Sequence, residues 1–337
     1  METSQHKALK WGVLSTAAIG TRKVIPAIQQ SQRCHVAAIA SRDGARAERV
    51  ATELGIERAH PSYEALLADP DIDVVYNPLP NHLHVPWTVR AAEAGKHVLC
   101  EKPIAITADE AQTLLAVRDA TGARIQEAFM VRTHPQWVAV RDMVAAGDLG
   151  ELRAIQGFFS YFNDDPADIR NQADIGGGGM LDIGCYPVTT SRFVTGAEPT
   201  RVVAVVDRDP RTGIDRLGTA LLDFPGVQAS FTYSTQLLAY QRMAFVGSEG
   251  RVEVEIPFNA PPDRPTRLLR WSDGAPGAEP EVIQIATCDQ YTVAADAFAA
   301  SIADGSPQPV PLEDSIQNMR VLDALLLSAE QGTWQHP

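Results

Sequence analysis

The stretch Trp11–Gly20, "WGVLSTAAIG", decides how the first third of the chain is read. A short apolar run ends in two hydroxyl residues, then small residues lead into helix-length sequence. That is the signature of a strand-to-helix turn. The same alternation recurs downstream, with strands expected at 11–16, 34–41, 73–79, 96–101 and 123–129. Helices are expected to start near Gly20, Asp43, His82 and Thr107. Near-continuous apolar strands separated by helices predict a parallel sheet covered on both faces. A doubly wound α/β domain is therefore expected over residues 1–128.

The pattern changes beyond it. "PQWVAVRDMVAAGDLG" (135–150) predicts a helix with a glycine stop at Gly150. From residue 151 onward, strand-like runs are joined by short turns such as "FPG" and "GSEG", which implies mostly antiparallel pairing. Helices are expected at 179–195, 290–303 and 312–331. "PFNAPPDRPTRLLRWSDGAPGAEPE" reads as irregular loop with one edge strand. Residues 129–337 are thus expected to form an α+β domain, an open sheet with helices on one face. An open sheet face needs cover, which predicts a homodimer or homotetramer formed through it.

At 337 residues the chain is long enough for two cores, and 45% hydrophobic with 21% charged residues is ordinary for a soluble globular protein. The formal net charge of −13 argues against nucleic-acid and anionic-membrane partners. Four cysteines without CxxC spacing read as reduced, buried thiols. The polar start "METSQHKALK" lacks a signal-peptide core, so the expected location is cytoplasmic.

A doubly wound sheet binds its ligand at the carboxyl ends of its strands. Against the dinucleotide pattern G-x-G-x-x-G, the first turn places Ser15, Ala17 and Gly20 at the three glycine positions. Small residues there still let a pyrophosphate approach the backbone, which makes Ser15, Thr16, Ala17, Ala18 and Ile19 candidate cofactor contacts. An ordinary strand–helix turn is the other reading. After the second strand an acid usually grips the ribose 2′-hydroxyl of NAD. Here Ser41 and Arg42 stand at that end, a hydroxyl beside a guanidinium, which suits a 2′-phosphate and points to NADP(H). The alternative is a solvated arginine partly neutralised by Asp43.

"NPLPNHLHVPW" and "GKHVLCEKPIA" follow the next two strands. Leu79, Asn81, His84, Glu101 and Lys102 complete the candidate cofactor set. Asn81 is expected to cap the following helix and offer its amide to the cofactor. His82 and His84 lack the carboxylate or cysteine that would complete a metal set, so no metal is expected. Lys102, stiffened by Pro103 at the binding edge, is a candidate for electrostatic and proton-relay work. Further on, "IGGGGMLDIGCYP" (175–187) strings four glycines before Asp182 and Tyr186, which stack on one helix face if the segment is helical.

"CEKPIA", "EAFMVRTHPQW" and "GGGGMLDIGCYP" together resemble the Gfo/Idh/MocA oxidoreductases, and the resemblance covers essentially the whole chain. It implies a Rossmann domain, and it implies that Lys102, Asp182 and Tyr186 frame the nicotinamide and a sugar substrate. Tyrosine rather than histidine at 186, with "FSYFNDDPADIRN" before the glycines, resembles the glucose-fructose oxidoreductase and NADP-dependent xylose dehydrogenase branch. Ser15 and Ala17 depart from the family, where many members carry glycine. The implied activity is hydride transfer from an aldose to NADP, with the glycines letting the backbone pass close to substrate or nicotinamide. Tyr186 would take the hydroxyl proton, Lys102 would favour its phenolate, and Asp182 would orient a sugar hydroxyl. A half-buried core tyrosine and a first-turn acid favoured by the helix dipole are the alternative. Phe162, Asn163, Arg170, His134 and Tyr291 are further substrate-site candidates, although His134 also suits a helix cap, Arg170 a loop clasp with nearby aspartates, and Tyr291 a core position. Other activities open to such a chain are keto-sugar reduction (of the 1,5-anhydrofructose or 3-keto type), dihydrodiol dehydrogenation, and non-catalytic NADP-binding regulation. The last sits poorly with Lys102, Asp182 and Tyr186 together, because a sensor needs no proton relay.

Overall fold

The structure, a computed structural model, describes residues 8–272 and 274–337. The chain forms two compact units. One contains the described residues up to Met130 together with Asp289–Ile316; the other contains Val131–Cys288 and Gln317–Pro337.

The first unit holds six strands: β1 (Leu9–Leu14), β2 (Cys34–Ala40), β3 (Arg58–His60), β4 (Val74–Asn77), β5 (His97–Cys100) and β6 (Ile125–Glu127). All pairings are parallel, in the order β3-β2-β1-β4-β5-β6. β1, β2, β4 and β5 are apolar and buried on both faces, so they read as unbroken hydrophobic runs. β3 was not expected: it is three residues long, half-buried and at the edge, too short and polar to leave a pattern.

The core of this unit gathers Trp11, Val36, Ile39, Val74 and Tyr76 from the sheet, with Ile25 and Ile28 from the first helix. It also contains Ala295, Phe298 and Ala299 of the helix Gln290–Asp304, and Phe298 meets Trp11 edge-on at 6.1 Å. This corrects the expected boundary, which assigned everything after residue 128 to the second domain. The late helix carries an Ala/Phe stripe that buries against the first sheet, so the chain returns to complete that core.

The second unit is an eight-stranded sheet: β7 (Leu152–Phe162), β8 (Arg201–Arg208), β9 (Asp215–Phe224), β10 (Val227–Ser234), β11 (Gln236–Gly247), β12 (Arg251–Val254), β13 (Thr266–Trp271) and β14 (Glu281–Ile285). Its order is β14-β13-β12-β11-β7-β10-β9-β8, antiparallel except for β7 with β10. β13 was expected at the edge; instead it lies between β12 and β14. The prolines at 261, 262, 265, 276 and 280 flank β13 without entering it, so its backbone N–H groups remain free to pair on both sides.

The helix Pro135–Ala146 stops at Gly147 (φ 78°), three residues before the expected glycine. Gly150 serves the next turn instead, where a Cβ would lie 2.3 Å from Ser248 Oγ. The helices Pro135–Ala146 and Cys185–Thr195 cover one face of the sheet. Trp137 stacks there on Phe258, which in turn stacks on Phe159. The other face shows Val205, Leu221 and Tyr240, 76%, 46% and 49% exposed. Among the described residues no helix is long and apolar enough to cross a membrane.

Candidate active site

In the first unit, Ser15 has φ +76°, a left-handed conformation that favours glycine. It is the conformation the glycine-rich pattern serves, here held by a serine whose Oγ accepts the Ala17 N–H at 3.2 Å. The following helix begins at Ala18 and runs through a π-turn, Gly20–Val24. Thr21 N–H already donates to Ala17 O at 3.0 Å, so the N–H groups that lack intrahelical partners and could face an anion are those ahead of it.

At the end of β2, Ser41 Oγ accepts the Asp43 N–H. The Asp43 carboxylate caps the helix Gly44–Leu54 by accepting the Arg46 N–H at 3.2 Å. Asp43 is thus engaged with backbone, while Arg42 is exposed and reaches Tyr63. Burial pushes the Tyr63 phenol up and the Arg42 guanidinium pulls it partly back.

Asn81 does not cap the helix as expected. It sits inside a 3₁₀ turn, Asn81–Leu83, preceded by Pro80, and the helix His84–Glu93 has no side-chain cap. A residue already in helical geometry cannot fold its amide back over the same turn. The buried Asn77 does the local work instead, donating to His84 O and Thr88 Oγ1 and accepting from Leu79 N–H. His84 is buried, with Nδ1 2.6 Å from Pro103 O and Nε2 2.7 Å from Leu79 O. It links the loops after β4 and β5, and burial holds its pKa down at about 4. The Lys102–Pro103 bond is cis. Glu101 accepts the Tyr76 O–H at 2.6 Å and the Lys102 N–H at 3.3 Å. Tyr291 belongs to this unit, packed on its core; burial and then the Glu101 charge raise its pKa. Among the described residues no group of three His, Cys, Asp or Glu side chains is placed to hold a metal.

In the second unit the glycine run is required by contacts within the protein itself. A Cβ on Gly177 would lie 2.6 Å from Gln172 O, and one on Gly178 (φ +129°) would lie 2.1 Å from Asp215 Oδ1. On Gly179 it would be 2.7 Å from the Tyr233 ring. The glycines make room for the protein's own backbone, carboxylate and aromatic ring. The chain then enters a π-turn, Met180–Gly184, and the helix Cys185–Thr195. Asp182 and Tyr186 straddle that junction rather than sitting in one regular α-helix. π-turns are rare, and they concentrate at functional sites.

Asp182 is the centre of a polar cluster. Arg170 Nε lies 3.3 Å from Oδ1, and the Tyr161 O–H donates to Oδ2 at 2.5 Å. Arg170 also meets Asp168 at 3.3 Å, and Asp168 accepts from Asn163 Nδ2 at 2.9 Å. Arg170 is therefore both a partner of Asp182 and a loop clasp. Burial, then the Asp182 charge, push the Tyr161 pKa up, which favours the protonated phenol that donates to Asp182. Tyr161 was missed in the sequence, where the neighbouring Phe162 was chosen. Alternation along β7 puts Ile155, Phe159 and Tyr161 on the helix-covered face, while Phe162 is 65% exposed.

Tyr186 is 7% exposed, edge-on to Phe159 at 5.7 Å and tilted against Phe258 at 5.3 Å. His134 caps its helix, with Nδ1 accepting the Gln136 N–H at 3.1 Å. That bond places the imidazole proton on Nε2, which faces Cys288 Sγ at 3.4 Å, and burial holds the His134 pKa at about 4. Both ring nitrogens are thus engaged within the unit.

Residues 9–129 match the family described as "Oxidoreductase family, NAD-binding Rossmann fold", and residues 137–253 match the "GFO/IDH/MocA C-terminal domain". An uncharacterized oxidoreductase of Rhizobium meliloti is 49% identical, over 97% of this chain and 98% of its own. A D-xylose 1-dehydrogenase (NADP(+)) of Haloferax volcanii is 39% identical, over 96% and 98%. Among solved structures, a 3-ketoreductase from Actinomadura kijaniata in complex with NADP and TDP-benzene is 34% identical with a TM-score of 0.89, covering 96% of this chain and 98% of that one.

Proposed function

Because the chain belongs to the Gfo/Idh/MocA oxidoreductase family, we propose that it is an NADP-dependent sugar dehydrogenase that oxidises a free aldose at C1 to the lactone. The Asp182 cluster carries the choice of substrate class. Arg170 is shared between Asp168 and Asp182, in a loop that also bears Asp164, Asp165 and Asp174, of which Asp164 meets Arg211 at 3.4 Å, so carboxylates outnumber guanidinium groups there. Such an environment repels the diphosphate of a nucleotide-linked sugar and suits neutral hydroxyls, which a carboxylate can orient.

NADP would supply the hydride acceptor. The left-handed Ser15 turn and the helix N-terminus that follows it at Ala18 suit its pyrophosphate, and Arg42 suits the 2′-phosphate. In that role the nicotinamide would accept the C1 hydrogen as hydride, and Tyr186 would take the C1 hydroxyl proton. By the family resemblance, Lys102 would favour the phenolate form of Tyr186, and Asp182 would orient a neighbouring hydroxyl. A panel of aldoses with NADP, followed by NADPH absorbance in both directions, tests this reading. Turnover only in the reducing direction, with keto sugars, would replace it with the reductase activity carried by the name of the Actinomadura relative.

Cofactor preference should rest on Arg42. A hydrogen bond to a charged group is worth about 1.5–3 kcal/mol, so NADP should be preferred over NAD by roughly 10- to 150-fold in kcat/KM. Arg42→Ala is expected to bring the two near parity by weakening NADP, and added salt should weaken the preference. A wild-type preference for NAD, or a ratio left unchanged by Arg42→Ala, would sink this assignment.

The outer face of the second sheet carries Val205, Leu221 and Tyr240 and would be covered by a second copy in a homodimer or homotetramer. Light scattering should give two or four times the chain mass; a mass near one chain refutes it.

A further inference from the structure

We infer that Asp215 is a positioning residue that holds the turn carrying Asp182 and Tyr186 in its working geometry. The inference rests on the roles proposed for those two side chains.

The first turn of a helix has N–H groups without intrahelical partners, and a local Ser, Thr, Asp or Asn normally accepts one of them. The run before Met180 is all glycine, and no side chain caps this terminus locally. The acceptor comes from β9 instead. Asp215 Oδ2 lies 2.6 Å from the Met180 N–H, across 35 positions of sequence. The same oxygen accepts the Tyr233 O–H at 2.6 Å, from β10. Asp215 is 5% exposed, so these donors substitute for water.

The surrounding sequence is shaped to this bond. A Cβ on Gly178 or Gly179 would strike Asp215, and one on Gly179 or Gly218 would strike the Tyr233 ring, at 2.5 Å in the latter case. Asp182 follows Met180 by two residues and Tyr186 by six, within the π-turn and the first turn beyond it. A slip at Met180 therefore rotates both side chains together. A misplacement of about 1 Å is enough to cost around 10²-fold in rate.

The test uses the full chain with NADP and the aldose that wild type oxidises best, with kcat expressed per NADPH-binding site so that misfolded protein does not count. Asp215→Asn keeps the shape and loses the charge. It is expected to lower kcat about 10- to 100-fold, with the sugar KM within about threefold. In a Tyr186→Phe background the same change should cost under about threefold, because its effect runs through a group already removed. Tyr233→Phe, which deletes only the O–H, should act in the same direction and share this dependence on Tyr186. It decides the question if Asp215→Asn does not fold. Equal losses in both backgrounds, or unchanged kcat per site, would overturn the inference and leave Asp215 as a fold residue. If wild type oxidises no aldose, the proposed substrate class fails instead, and the same cycle is read on the keto sugar or dihydrodiol it does turn over.

Discussion

Tyr186→Phe is expected to keep the fold and the cofactor affinity and to lose turnover by ~10²–10⁴-fold, the range for removing a general acid–base group. Phenylalanine preserves the ring contacts with Phe159 and Phe258, so the O–H is the only loss. The nearby phenols cannot stand in, because burial and a bonded carboxylate, Asp182 for Tyr161 and Asp215 for Tyr233, favour their protonated forms. Oxidation needs the base without its proton, so wild-type kcat should rise with pH towards a plateau. Tyr186→Phe should flatten that limb. The checks are kcat at saturating substrates across pH and an NADPH fluorescence titration. A variant whose rate at high pH matches wild type would move the base elsewhere.

Lys102→Met is expected to lower turnover at least ~100-fold in a folded, cofactor-binding protein. The lysine backbone is braced on both sides. Glu101, itself held by Tyr76, accepts the Lys102 N–H, and the Pro103 carbonyl is held by His84. Methionine keeps most of the stem and deletes the cation, so the loss reports charge. A phenol near a cation ionises more readily than its ordinary pKa near 10 allows. Without Lys102 the rising limb of kcat should therefore survive but move to higher pH, unlike the flattening expected for Tyr186→Phe. Near-normal turnover would make the lysine purely structural.

The first sheet was legible because strands buried on both faces leave unbroken apolar runs, and the five expected strands lie within a few residues of β1, β2, β4, β5 and β6. β3 and β14 were not, since short or half-exposed edge strands carry little pattern. At the site, Asp182 and Tyr186 could be singled out because their relation is local, four residues along one helical segment. Tyr161, Asp215 and Tyr233 could not, because their relation to that segment depends on strand pairing. For Tyr161 a signal existed: the apolar alternation through Ile155 and Phe159 puts residue 161, not 162, on the helix face. The glycines were visible, but their cause was not. Only the paired sheet shows that Asp215 and Tyr233 occupy the space a Cβ would need.

The return of Asp289–Ile316 to the first unit has a consequence for biogenesis. A ribosome delivers Trp11 near the beginning and Phe298 near the end of translation, yet the two share one core. The nascent first sheet must wait, with an uncovered apolar flank, while the whole second sheet emerges. Closing so long a loop adds only logarithmically to the entropy cost, so the finished protein loses little stability by this arrangement. What it loses is time. During synthesis that flank stays uncovered, and a chain that stalls before residue 290 is left with a half-closed nucleotide domain whose exposed apolar surface favours aggregation.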